Sequence, residues 1–214
     1  MDKSGSAFKD ILIVTLITLV AGMMLGFVYN ITKEPIANEK LKTRIASQQA
    51  VFSEASSFEA TDGPDTTGFA DKYLAALETD GITGVTLNSI DCAYGSDGSD
   101  PLGYVVDVTD SDGYGGDIEI MVGVSNAGGS YKVNAISFLS LSETAGMGMK
   151  AKESPFIDGF KDLNADALIA YTKTGKSAPN EIDAISGATI TTSAVTNAVN
   201  AAVIAAKTYE EVAR

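Results

Sequence analysis

Residues 102–139 read LGYVVDVTDSDGYGGDIEIMVGVSNAGGSYKVNAISFL. Leu102, Tyr104, Val106 and Val108 recur at every second position, and so do Ile118, Ile120, Val122 and Val124. A period of two places those side chains on one face of a strand. A third run, 131–139, is rich in β-formers and partly apolar on both faces. The intervening 110–116 and 126–129 are built largely from Asp, Asn, Ser and Gly, which are turn residues. Connections this short join neighbouring antiparallel strands, so the stretch predicts a meander.

Working outward, the pattern changes to helix on the C-terminal side. Short helices are expected at 155–160 and 165–171, and a long one at 189–207. In the last, Ile190, Ala194, Ala198, Ala202 and Ala206 align with Val195, Val199 and Val203 into one apolar stripe. On the N-terminal side a short helix is expected over 65–78, closed near Asp80-Gly81. Strands in the middle and helices at the end define an α+β domain.

Further out, residues 11–29 read ILIVTLITLVAGMMLGFVY without a charge. At about 1.5 Å per residue such a helix nearly matches the roughly 30 Å hydrocarbon core of a bilayer. A helix apolar on every face needs lipid around it, and no small-residue cleavage site follows, so the segment reads as an uncleaved anchor in a lipid bilayer. Pro35 suits a helix start, and 36–56 is rich in good helix formers, giving a juxtamembrane helix. The expected organisation is a tail at 1–10, the anchor at 11–29, the juxtamembrane region at 30–60 and the domain at 61–214. Lys33, Lys40, Lys42 and Arg44 follow the span, and by charge count alone they favour a cytoplasmic domain.

The chain has 214 residues, with 15 Lys plus Arg against 28 Asp plus Glu and a net charge of −13. Such a charge repels a phosphate backbone, which argues against nucleic acid as a partner. There is no His and one Cys, Cys92. Ser-His-Asp and Cys-His catalysis, His-ligated zinc or haem, and a four-Cys iron–sulfur cluster are thereby excluded for this chain alone. The Asp-rich stretch from Asp110 fails as an EF-hand loop, because Tyr114 stands at its fifth position and Met121 at its twelfth. A chain this poor in reactive side chains points to a bound cofactor.

The segment DAISGATITT, 183–192, stands where the long helix begins. Free N–H groups and the positive dipole end favour an anion there, Gly187 and Ala188 permit close approach, and Ser186, Thr189, Thr191 and Thr192 offer hydroxyls. The same residues would serve equally as helix caps, with Ser186 or Thr189 at the N-cap.

Residues 183–189 resemble the covalent flavinylation motif of the FMN-binding domain family, whose final Thr carries FMN through a phosphoester bond. In this chain that residue is Thr189. SETAGMG, 142–148, resembles the Glu-Thr-Pro-Gly-Leu-Gly loop of the G subunit of the Rnf electron-transport complex and of the related C subunit of the sodium-pumping NADH:quinone oxidoreductase. Glu143, Thr144, Gly146 and Gly148 match, whereas Ala145 stands for Pro and Met147 for Leu. Gly113-Tyr-Gly-Gly116 and the Phe156/Phe160 pair are also similar to that group, and the compact length favours the Rnf G subunit.

The resemblance implies FMN covalently attached to Thr189, with Asp183, Ser186, Gly187, Ala188, Thr191 and Thr192 around it. A second set, Glu143, Thr144, Gly146, Met147 and Gly148, would lie against the flavin ring. Asp183 is expected to orient the local turn or to support assembly of the flavin transferase site. No catalytic side chain and no metal ligand is implied. The role implied is an electron-carrying subunit of a membrane ferredoxin:NAD⁺ oxidoreductase coupled to Na⁺ or H⁺ translocation, without complete activity alone. Implied partners are the other membrane and peripheral subunits and a flavin transferase, with the domain on the extracytoplasmic side. The rival readings are the C subunit of the quinone reductase and a non-enzymatic, membrane-anchored binding domain.

Overall fold

The computed structural model describes residues 3–98 and 100–213. It divides into a first unit ending at Arg44 and a second, Ile45–Arg214. Helix α1, Lys3–Val51, holds the apolar stretch and is long and apolar enough to cross a membrane. Within it Thr15 and Thr18 turn their hydroxyls back onto the carbonyls of Ile11 and Val14, at 2.8 and 3.1 Å, so neither threonine hydroxyl is left unpaired against hydrocarbon. Pro35 lies inside α1 and starts nothing. The good helix formers on either side carry the helix past the one hydrogen bond that Pro removes.

The helix also stops earlier than expected, at Val51, and Ser57–Ala60 is strand β1. The folded domain therefore takes in residues from Ile45 onward that the sequence assigns to a juxtamembrane region. After β1 come α2 (Phe69–Thr79), β2 (Val85–Tyr94), β3 (Pro101–Asp110), β4 (Ile118–Ala127) and β5 (Ser130–Leu141). The short α3 (Ser154–Ile157), then β6 (Leu163–Asn164), β7 (Ala170–Thr172), β8 (Glu181–Asp183) and the long α4 (Thr189–Ala213) complete the chain. Strands β1 to β6 form one antiparallel sheet in sequence order, and β7 and β8 pair in parallel.

Alternation gives the sheet two covered faces. Tyr104, Val106, Val108, Ile120, Val122 and Val124 lie in the main core, with Phe69, Tyr73 and Leu77 of α2 and the Ala/Val surface of α4. The other face carries Val105, Met121, Ala93 and Ala135, on which Val51, Phe52 and Ala55 pack. Two glycines make that second contact possible. A Cβ on Gly123 would overlap the Val51 carbonyl oxygen, and one on Gly103 would fall 2.9 Å from the Phe52 ring. Gln48 donates to Asp91 at 2.8 Å and Ser137 to Ser47 at 3.0 Å, fixing the end of α1 on the sheet.

Helix α4 is buried over most of its circumference, beyond a single stripe. Ala194, Ala198, Ala202 and Ala206 are each at most 1% exposed, and Ala201 and Ala205 are equally buried. Ile190, the first residue of the expected stripe, is 52% exposed. The helix expected at 165–171 does not form. Asn200 of α4 accepts from the Ile169 N–H at 2.8 Å and donates to its carbonyl at 2.9 Å, while the Ala165 N–H donates to Tyr131 O at 2.9 Å. Those tertiary partners replace the helical ones and hold the segment extended, overriding local propensity.

Asp110, at the end of β3, is fully buried. Its Oδ1 accepts the Asp112 N–H at 2.8 Å, and its Oδ2 has no partner among the described residues. Burial raises the carboxyl from 3.8 to about 6, opposed by the Asp112 N–H and reinforced by the Asp112 charge. The protonated form is the one the fold favours. This group's contribution is therefore fully present in acid and is lost as pH rises through about 6. One pKa unit is worth about 1.4 kcal/mol, so the charged carboxylate costs roughly 2–3 kcal/mol at pH 8. Asp110→Asn is expected to recover about 2 kcal/mol at pH 8 and to flatten the decline that runs from about pH 4 to just above pH 6, measured at about pH 4 and pH 8. Urea unfolding of the full chain in detergent at both pH values measures this, and an unchanged decline would show that another group drives it.

Candidate functional site

The turn before α4 is closed by a residue from inside the helix. Gly187 takes φ +80, a value L side chains rarely adopt, and the Ala188 N–H donates to Ile185 O at 3.0 Å. The buried Thr192 hydroxyl accepts from the Ile185 N–H at 3.1 Å and donates to Ala188 O at 2.9 Å. Thr192 thus performs the closing role, and among the described residues neither the Ser186 nor the Thr189 side chain makes a capping hydrogen bond. The backbone ladder of α4 begins with the Thr192 N–H donating to Ala188 O at 3.0 Å. The N–H groups of Thr189, Ile190 and Thr191 precede it and are left for a ligand. Thr189 is half-buried, and its hydroxyl makes no hydrogen bond among the described residues.

A cavity of about 390 Å³ opens at this helix end. Gly187, Ala188, Thr189 and Thr191 form one side, and Glu143, Thr144, Met147 and Gly148 another. The volume falls within the roughly 300–1,000 Å³ of small-molecule sites. Glu143 leaves the sheet at the end of β5 and accepts the Tyr114 N–H on Oε1 at 2.9 Å. The Thr144 carbonyl accepts from Met147 and Met149, at 3.1 and 3.2 Å, around Gly146 at φ +75. Gly148 lies where these pieces meet. A Cβ there would fall 2.6 Å from Glu143 Oε2, 2.6 Å from Thr191 Oγ1 and 2.8 Å from Glu143 Cβ, so a side chain at 148 would have to displace these groups.

Of the residues expected at the site, eight line this cavity. Four do not. Asp183 turns its carboxylate to the Lys176 N–H at 2.8 Å and holds the preceding loop, so it serves the fold of the turn and not the cavity. Thr192 is spent on the turn, Ser186 is exposed outside the lining, and Gly146 shapes the loop from behind. Two lining residues absent from the expected set are Tyr114 and Ile190, 68% and 52% exposed. Tyr114 belongs to the Gly113–Gly116 motif, which in sequence reads as a turn and as a point of family resemblance, without a role at the site. Nothing in the sequence places that hairpin beside 142–148.

A larger cavity, about 790 Å³, opens at the far end of α4, where Tyr104, Tyr131, Tyr209 and Glu210 meet. The negative end of the helix dipole and the Glu210 and Glu211 side chains disfavour a phosphate there. The smaller cavity is the one suited to an anion with an apolar body. Its donors are backbone N–H groups and hydroxyls, and its walls include Met147, Ile190 and Tyr114. That combination fits FMN, whose phosphate needs donors and whose ring needs apolar cover.

Residues 113–204 match the FMN-binding domain family, a span that contains both loops and most of α4. Over a larger part of the chain the similarity is to particular proteins. The chain is 31% identical over 195 residues to the G subunit of the proton-translocating ferredoxin:NAD⁺ oxidoreductase complex of Clostridium ljungdahlii, covering 91% of this chain and 89% of that one. It is 29% identical over 194 residues to the G subunit of the Na⁺-translocating ferredoxin:NAD⁺ oxidoreductase complex of Acetobacterium woodii, covering 90% and 88%. Among solved structures, the C subunit of the Na⁺-translocating NADH-quinone reductase from Parabacteroides distasonis aligns with a TM-score of 0.48 at 20% identity, covering 72% of this chain and 77% of that one. The chain carries an FMN-binding domain. It belongs to the G-subunit family of ion-translocating ferredoxin:NAD⁺ oxidoreductase complexes.

Gly148→Ala should force Glu143 and Thr191 apart, costing about 1–3 kcal/mol as overpacking does. Chemical unfolding together with faster amide exchange at Tyr114 would report it. Wild-type stability and exchange would show that the loop does not depend on the missing Cβ.

Proposed function

We propose that this chain is the electron-carrying flavoprotein subunit of a membrane ferredoxin:NAD⁺ oxidoreductase coupled to Na⁺ or H⁺ translocation, with FMN esterified through its phosphate to Thr189. The observation that carries the reading is the Thr189 hydroxyl, unengaged at the first turn of α4 and facing a cavity walled by the 143–148 loop. The G-subunit relatives and the FMN-binding match support it.

The chain's own residues bind and orient. The N–H groups of Thr189, Ile190 and Thr191, with the positive helix end, suit the phosphate. Gly187 and Ala188 let it approach the backbone, and the Thr191 and Thr144 hydroxyls add polar partners. Met147 and Ile190 give apolar cover, and Glu143 holds the Tyr114 hairpin over the site. When bound, FMN supplies the one- and two-electron chemistry that a chain with one buried thiol and no His lacks. Among the described residues the one carboxylate lining the cavity is Glu143, and it already accepts the Tyr114 N–H. This fits the separate flavin transferase that the family resemblance implies for making the ester. The protein works among the other membrane and peripheral subunits, anchored in the bilayer by α1, with the domain on the extracytoplasmic side. The flanking lysines argue the other way, but long domains translocate with little regard to such charge.

Intact mass of the full chain, made where a flavin transferase is active, is expected to exceed the polypeptide by FMN less water. Thr189→Val should remove the increment and leave the fold. An increment that survives in Thr189→Val and disappears in Thr191→Val would move the ester and overturn the assignment.

Sidedness has its own measurement. Protease added to right-side-out sealed vesicles should digest the domain, whereas protection there with digestion in inverted vesicles would place it in the cytoplasm.

A further inference from the structure

Tyr114 is 68% exposed at the edge of the cavity, and its ring is the one aromatic side chain lining it among the described residues. A large ring held in water at a hairpin tip gains nothing for the fold. Its backbone is nevertheless fixed from three directions. A Cβ on Gly113 would overlap Gly116 O, and one on Gly115 would overlap Ser142 O, so both flanking residues pack backbone to backbone. Between them the Tyr114 N–H donates to Glu143 Oε1 at 2.9 Å. The tip is thus pinned to the 142–143 segment that forms one wall of the site, while the ring itself is left free. Met147 and Ile190, 53% and 52% exposed, complete a group of three large uncovered side chains around Thr189.

We infer that Tyr114 is a flavin-contact residue, its phenol ring resting against the isoalloxazine and covering it opposite Met147 and Ile190. The inference rests on flavin at Thr189 and goes beyond it by assigning the ring's aromatic neighbour. Contact with a phenol leaves an optical mark. Light-excited flavin takes an electron from the tyrosine ring and returns it, so the ground states are restored and the emission is lost. A flavin against Tyr114 is therefore dark, and the same flavin without that neighbour emits.

The test uses the full-length, flavin-loaded chain in detergent, with fluorescence yield expressed per flavin and flavin content fixed by intact mass. Tyr114→Leu is expected to raise the yield several-fold at unchanged flavin content. Tyr114→Phe keeps the ring but removes the readily oxidised phenol, and should raise the yield while preserving the wild-type absorption band shape. Unchanged yield in both variants at full flavin content would overturn the inference and leave Tyr114 as a solvent-facing tip. If Tyr114→Leu fails to take up flavin, Tyr114→Phe decides the point alone, by a raised or an unchanged yield. A wild-type chain without the FMN mass increment would instead count against the Thr189 attachment, so the two failures are distinguishable.

Discussion

The domain depends on a helix whose buried surfaces are built largely from alanine, with Val195, Val199 and Val203 between. Six alanines of α4 are at most 1% exposed, and they let its backbone come close to Val106, Val108, Ile120 and Val122 on the sheet. Interiors are packed to crystal-like density, so a helix enclosed on most sides cannot slide or rotate without opening voids. Asn200 adds register along the axis through its two hydrogen bonds to Ile169. With α4 fixed, its first turn is fixed, and Thr192 then closes that turn on Ile185. Thr189 is left with a placed backbone and an unengaged hydroxyl.

The other recurring device is the missing Cβ. Gly123 and Gly103 let the end of α1 lie on the sheet, Gly115 lets the β3–β4 hairpin lie on Ser142, and Gly148 lets the 143–148 loop meet α4. In each case backbone or a neighbouring side chain occupies the space where a Cβ would stand. The last two contacts make one chain of supports running from hairpin to loop to helix. The cavity is the gap they leave, and its position follows from the helix.

Much of this was legible in sequence. The period-two runs of β3 to β5 and the Ala/Val helix are the strongest patterns, and they are the centre of the fold. Strand β2 was hidden because Thr86, Asn88, Ser89 and Asp91 interrupt its apolar positions and a register shift between Leu87 and Ser89 breaks the alternation. The false helix at 165–171 and the true one running through Pro35 both show tertiary or neighbouring context outweighing a local signal. At the site, DAISGAT and SETAGMG named most of the lining but could not sort it. The turn-orienting role expected of Asp183 is the one its carboxylate takes up, whereas Thr192 carries the same hydroxyl as Thr189 and only the fold shows that it is already spent. Ile190 stands beside Thr189 in sequence but was assigned to the buried stripe of the helix, and Tyr114 joins the site only when the fold brings its hairpin to the 143–148 loop.

The charges of the site explain why the proposed tether would suit this chain. A net charge of −13 opposes capture of an anionic cofactor. The attraction of one helix end for a charge is worth about 0.3–1 kcal/mol, and about 2 kcal/mol at best. Even millimolar affinity requires about 4 kcal/mol. The free N–H groups therefore orient a phosphate far better than they retain one. The apolar side chains beside them add contact area, but all three stand largely in solvent at an open mouth. A shallow site of this kind would lose a diffusible flavin between electron transfers. The proposed ester to Thr189 would remove retention from the list of things the cavity must do and leave it to orient the phosphate and cover the ring.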